Sequence, residues 1–257
     1  MRQFVKNQSI VRQIWGKADT VLFIFAGAAA EFALNKAVDW LYFTGRLPAD
    51  PIGRLFSTVS YARRIVFSDW DSAHKAIDQI TLIHKKVEEN RGAVIPDWAY
   101  RDVLFMLIYY SIASFELLER KLTDEEKEEV YDVFYRVGDR MGLRQLPQNY
   151  AQWLQARSTH LSNDLARSNY TIHLTQQYKK HLGQLRYTIL LQVQAMLVPT
   201  IVKKQLQLPA PLLGKLLLLA YKSSRFIKAE NLVKALLLPN AYKPQIKQLD
   251  QPATALY

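Results

Sequence analysis

Among the side chains able to bind a metal or move a proton near neutral pH, His84 has the most informative neighbours. Between Asp71 and Asn90 the apolar residues Ala73, Ala76, Ile77, Ile80, Ile83 and Val87 recur at helical spacing. Steps of three and four put Ile77, Ile80, His84 and Val87 on one stripe, so the imidazole faces the core. Two roles suit such a histidine. One is a buried neutral ring hydrogen-bonded to a carbonyl, since a buried polar group chiefly needs a partner. The other is an axial ligand whose imidazole binds a haem iron. On the preceding segment Arg54 and Thr58 stand four apart, on one helical face beside Leu55, Tyr61 and Ile65. An arginine there either pairs with a carboxylate, a propionate included, or caps a neighbouring helix end.

The remaining chemistry is narrow. His160, His173 and His181 sit among charged residues, so exposed side chains are expected, and His173 and His181, eight apart, share a helical face. Tyr109, Tyr110 and Phe115 read first as packing residues and second as the lining of an apolar pocket. The absence of cysteine removes disulfides, thiolate metal sites, iron–sulfur clusters and a cysteine nucleophile together. No dinucleotide or phosphate-cradling glycine loop, H-E-x-x-H, G-x-S-x-G or Glu-x-x-His is present. With five histidines and no cysteine, a metal held by several protein ligands is hard to assemble, whereas a cofactor needing one histidine is easy to accommodate.

The elements that must position these residues are helices. Apolar residues make up 49% of the 257 and charged ones 22%, an ordinary globular balance, and no Asn-Gly or Asp-Gly hairpin signal interrupts the long periodic stretches. The fold class is therefore all-α, one globular domain of about ten helices. An amphipathic stretch runs from Gln3 to Trp15, followed by an apolar one from Asp19 through Tyr42. "LPADP" then stops one helix and starts another, with Asp50 as N-cap and Pro51 in the first turn. That helix reaches Phe67; Ser68 and Asp69 cap the next, which ends near Asn90 before Gly92. A long helix follows Pro96 to about Lys121, and "TDEE" gives a capping box of Thr123 with Glu126, leading to a helix that stops near Gly142. Tyr150–Asp164, Thr171–His181 and Leu185–Gln205 come next, then "LPAP" and two short basic helices, Leu212–Lys222 and Ser224–Leu237, before a loose tail from Pro239. Val103–Phe115, thirteen uncharged residues, falls short of the roughly twenty a membrane span needs and reads as a buried core helix.

The net charge of +11 is lopsided. After Tyr170 there are twelve Lys or Arg against Glu230 and Asp250, while Glu116–Asp139 is acidic. Leu-rich basic helices suit an anionic membrane surface, or else a helical hairpin whose lysines snorkel outward; no nucleic-acid module accompanies the charge. Val21–Ala30 lacks the short basic leader of a signal peptide, so a cytoplasmic protein in peripheral contact with anionic membrane is expected.

The order R-x-x-x-T, an apolar helix and "IHKKVE", together with "ADPIGRL", "LLERKLTDEE" and "MGLRQLPQNYAQW", resembles the family of the MpaB-type oxygenase and the rubber oxygenase (latex-clearing protein) over about residues 20–205. Residues 206–238 then form the basic helices and 239–257 the tail. The resemblance implies an all-α fold holding haem b, with His84 as proximal iron ligand and Arg54 and Thr58 beside the haem as catalytic residues. It implies dioxygen and a hydrophobic small molecule or polymer as reactants. The chain departs from the family pattern at Ser57, where rubber oxygenases carry Lys. It departs again at Leu34 or Asn35 and Leu107 or Ile108, where many members carry His. The competing expectation is a non-catalytic helical protein that has lost the cofactor and binds a lipid, a membrane surface or a partner.

Overall fold

The computed structural model describes residues 2–226, and among them every regular element is a helix. Two isolated β-bridges, Gln3 with Asp69 and Asn35 with Leu165, are the extended pairings among the described residues. The helices are α1 (Ile10–Trp15), α2 (Ala18–Phe32), α3 (Val38–Phe43), α4 (Arg46–Ala49), α5 (Pro51–Phe67) and α6 (Trp70–Arg91). They continue with α7 (Asp97–Leu118), α8 (Asp124–Arg140), α9 (Tyr150–Asn163), α10 (Asn169–Leu197), α11 (Thr200–Leu206) and α12 (Leu212–Phe226). The count differs from the expected ten because Asp19–Tyr42 and Leu185–Gln205 are each broken, α4 lies in the expected turn, and two expected segments merge in α10. The predicted helix Ser224–Leu237, beyond the end of α12, and the tail lie outside the described residues.

Where capping chemistry is strong, helix ends fall where the residues dictate. Asp50 accepts the Gly53 amide at 2.9 Å with Pro51 in the first turn of α5. Asp69 accepts the Asp71 and Ser72 amides at the start of α6, and Gly92 closes that helix with φ +68°. The Thr123–Glu126 capping box opens α8 in both directions.

The departures come from tertiary pairing. The stretch from Gln3 is helical only from Ile10, because Gln3 bridges to Asp69, Phe4 N–H bonds Ser68 carbonyl and Trp70 N–H bonds Arg2 carbonyl. This strap pins the turn of the α5–α6 hairpin. The segment from Asp19 to Tyr42 breaks at Ala33–Ala37, where Lys36 N–H bonds Asp164 carbonyl at 2.9 Å and Ala166 N–H bonds Leu34 carbonyl at 2.7 Å. Asn35 then caps the Ala37 amide with its side chain. Further on, the expected break near residue 183 is a kink inside α10, where Gly183 takes φ +75°. Pro199, which has no amide to donate, ends the helix run that was expected to reach Gln205 and starts α11.

At the centre α2 lies against α7. Gly27 allows the closest approach: a Cβ there would stand 2.3 Å from the Tyr110 ring. Val103–Phe115 lies within α7, as expected of a core helix, with Tyr110 and Phe115 buried and Tyr109 half-buried. Trp15 of α1 reaches in to donate its indole N–H to Ser111 at 3.2 Å. No described helix is long and apolar enough to cross a membrane. Gly27→Ala is expected to force the Tyr110 ring aside and to lower unfolding stability by about 1–3 kcal/mol in urea titration, the usual cost of overpacking a filled core; an unchanged midpoint would show that α2 and α7 have slack.

Candidate functional site

The α5–α6 hairpin fixes the first group of residues. Arg54 lies fourteen residues before Ser68 and His84 fifteen after Asp69, so legs of nearly equal length bring them near each other across the hairpin. His84 is half-buried on the stripe with Ile77, Ile80 and Val87, with its Nδ1 buried and the Ile80 carbonyl, one turn back, as its polar neighbour. The Tyr100 ring of α7 meets the imidazole edge-on at 5.1 Å between centroids. Tyr100 in turn donates its hydroxyl to Glu88, which also receives the Ile95 amide. Burial, then the Arg54 guanidinium, push the His84 imidazole down to about 4 against the opposing pull of Glu88 and the Ile80 carbonyl. The ring is therefore neutral at physiological pH, which is the ligand form of histidine.

Arg54 is half-buried, and burial and the nearby Arg46 lower its pKa. Its guanidinium bonds Ser57 Oγ at 2.8 Å, and no carboxylate pairs with it among the described residues. Ser57 thus holds one terminal nitrogen of the Arg54 guanidinium. Thr58 bonds back to the Arg54 carbonyl at 3.3 Å, which keeps its hydroxyl on the same helix.

The second group was missed in the sequence, and one expectation fails there. His160 is not exposed: it is 3% accessible, because α9 turns Trp153, Arg157 and His160 inward on one stripe. His173 is exposed, as expected, between Tyr42 and Gln177, while His181 is half-buried. The hub of the buried group is Glu31 of α2, with 0% exposure. Arg157 clasps both its carboxylate oxygens, Tyr110 donates its hydroxyl to Oε2 at 2.8 Å, and His160 Nε2 meets Oε1 at 2.9 Å. On the far side of the ring, His160 Nδ1 lies 2.7 Å from Asp102 Oδ1 and 3.6 Å from Asp164 Oδ2. Asn35 donates to the other Asp102 oxygen at 2.9 Å.

Burial alone pushes Glu31 up, but Arg157 and then His160 hold it down at about 2. For His160 burial lowers the pKa, and the Asp102 and Glu31 carboxylates reverse this to about 9. The missed signal was an acid or base at a core position of an apolar stripe: Glu31 ends the run "AGAAAEF", and Asp102 lies on α7 between Ala99 and Phe105.

The sequence from residue 12 to 223 matches a family model described as ER-bound oxygenase mpaB/B'/Rubber oxygenase, catalytic domain. The chain belongs to that family. No curated protein and no solved structure matches it. The oxygenase catalytic domain spans α1 through most of α12, including the Arg54–His84 pair and the Glu31 hub. Two observations suit the α6 histidine to the haem that the sequence resemblance implies: its ring is neutral, and the cation beside it pairs with no carboxylate among the described residues.

The Glu31 hub carries its own test. Glu31→Gln leaves the Arg157 guanidinium without a counter-charge, and the expected loss is about 3–5 kcal/mol of unfolding stability in denaturant titration. A loss below about 1 kcal/mol would show that the ion pair is dispensable to the packing.

Proposed function

We propose that this oxygenase-family protein binds haem b through His84 and uses it, with dioxygen, to oxidise a hydrophobic organic substrate, small or polymeric. The observation that carries the reading is the neutral imidazole of His84 standing near an acid-free Arg54. The haem supplies the redox chemistry when bound. The chain's own contributions are simpler. His84 offers a nitrogen lone pair without first shedding a proton. Its ring orientation is restrained by Tyr100, and Tyr100 by Glu88. Arg54 meets a propionate or a polar group of the substrate with a charge-assisted hydrogen bond, and Thr58, one turn along, lines the same face. The half-buried apolar residues Ile80 and Val87 on either side of His84 favour a dry pocket and an apolar reactant.

The purified protein is expected to show a Soret band, and Arg54→Ala to weaken haem affinity by about 10- to 100-fold, the worth of one charge-assisted hydrogen bond. Protein that takes up no haem on reconstitution would favour the non-catalytic, lipid- or partner-binding reading.

A second observation bears on where such a substrate is met. On α12 the side chains of Leu212, Leu213, Leu216, Leu217 and Leu219 are exposed, the first at 72% and the last at 65%, beside Lys215 and Lys222, and the helix has no acid. We propose that this face rests on anionic lipid, in accord with the ER-bound members named in the family description. Each lysine near such a surface contributes about 1 kcal/mol, and the attraction fades over about 8 Å at physiological salt. Co-sedimentation is expected with anionic liposomes at low salt, with loss at high salt and little binding to neutral ones. Equal, negligible binding to both would remove the membrane from the reading.

A further inference from the structure

The Glu31 hub has a face that ion pairing within it does not use. His160 and Asp164 are four apart at the C-terminal end of α9, so both reach the same side of that helix, and Asp102 comes to meet them from α7. One ligand-capable atom from each, Nδ1 of His160 and a carboxylate oxygen of each aspartate, lies within 4.8 Å of the other two. His160 is almost wholly buried, and its Nδ1 has only the two aspartates before it, Asp102 Oδ1 at 2.7 Å and Asp164 Oδ2 at 3.6 Å.

We propose that Asp102, His160 and Asp164 form a binding site for one divalent first-row transition cation, of which Zn2+ is the probe of choice, separate from the haem site at His84.

Three features of the surroundings are those of a ligand set. The opposite ring nitrogen, Nε2, is engaged by Glu31 at 2.9 Å, and a carboxylate accepting from the far nitrogen of a ligating histidine fixes its tautomer and aims its lone pair. Asn35 occupies Asp102 Oδ2 and leaves Oδ1 for an ion. Charge also balances once His160 Nδ1 gives up its proton. Arg157 already neutralises Glu31, so two aspartates and an imidazole deprotonated on binding meet a divalent cation with no net charge left over, and binding releases a proton. One nitrogen and two carboxylate oxygens form a three-ligand set with a fourth position for water, as zinc commonly takes, and the imidazole disfavours Ca2+ and Mg2+. Asp164, its side chain 25% exposed, gives the ion a route from solvent.

The alternative is a proton on Nδ1 that ties the ring to the two aspartates with no cation involved. Calorimetric titration of the full, chelator-stripped chain with Zn2+ separates the two. One Zn2+ per chain is expected, with affinity about 10- to 100-fold weaker in Asp164→Asn and unchanged in His84→Ala. Asp164 is the residue to change because its partial exposure makes folding tolerant, which circular dichroism checks, and Asp102→Asn provides a second loss. Failure of the wild-type chain to bind, or equal affinity in Asp164→Asn, overturns the site, the latter by showing that exposed histidines such as His173 bind the ion instead. Because the readout is Zn2+ binding in a protein free of haem, failure here leaves the His84 reading untouched, and the converse also holds.

Discussion

A carboxylate with no solvent exposure has to be met by donors that arrive from somewhere, and for Glu31 they arrive from α7 and α9. Arg157 supplies a two-pronged guanidinium, Tyr110 a hydroxyl and His160 a ring nitrogen. None of these groups has water to fall back on, so each fixes the rotation and depth of its helix relative to α2. The constraint reaches further through Gly27. Tyr110 lies over that glycine, one turn before Glu31, and its hydroxyl reaches the carboxylate only because no Cβ keeps the ring away. The packing of α2 on α7 and the satisfaction of the buried charge are thus one requirement. A buried ion pair adds little to stability compared with a well-packed apolar core, but a half-removed one is costly, so the residues are held together as a set.

The two proposed sites differ in construction. His84 and Arg54 sit on consecutive antiparallel helices, placed by hairpin geometry and by the strap at residues 2–4, and both are only half-buried. The Asp102–His160–Asp164 group is deep, and its partners are specified down to the second oxygen of Asp102. The α9 to α10 connection serves it as well: the Asp164 carbonyl and Ala166 amide pair with the chain around Leu34, the same tie that ends α2 and brings Asn35 to Asp102.

Helix type and most helix starts were legible because they depend on local chemistry. Asp50, Asp69, Thr123 and Gly92 act on amides or carbonyls within four residues, so the sequence contains both partners. The inward stripe at His84 was legible for the same reason, as periodicity is local. The break at Ala33–Ala37 was not, because its cause is a pairing with residues 164–166. His160 was misjudged by the charge of its neighbours in sequence, when the deciding fact is the carboxylates awaiting it on α2 and α7. Glu31, Asp102 and Arg157 escaped notice because a lone charge inside an apolar stripe is intelligible only when its partner, 126 residues away in the case of Glu31 and Arg157, is in view.

Pulsed electron paramagnetic resonance of the ferric, haem-loaded protein, grown with isotope-labelled histidine, reads the axial ligand directly. One histidine nitrogen coupled to iron is expected in the wild type and in His181→Ala, with the coupling lost in His84→Ala while helicity is retained. A haem-loaded protein with no histidine coupling, or a His84→Ala variant whose coupling matches the wild type, would contradict the assignment of His84 to the iron.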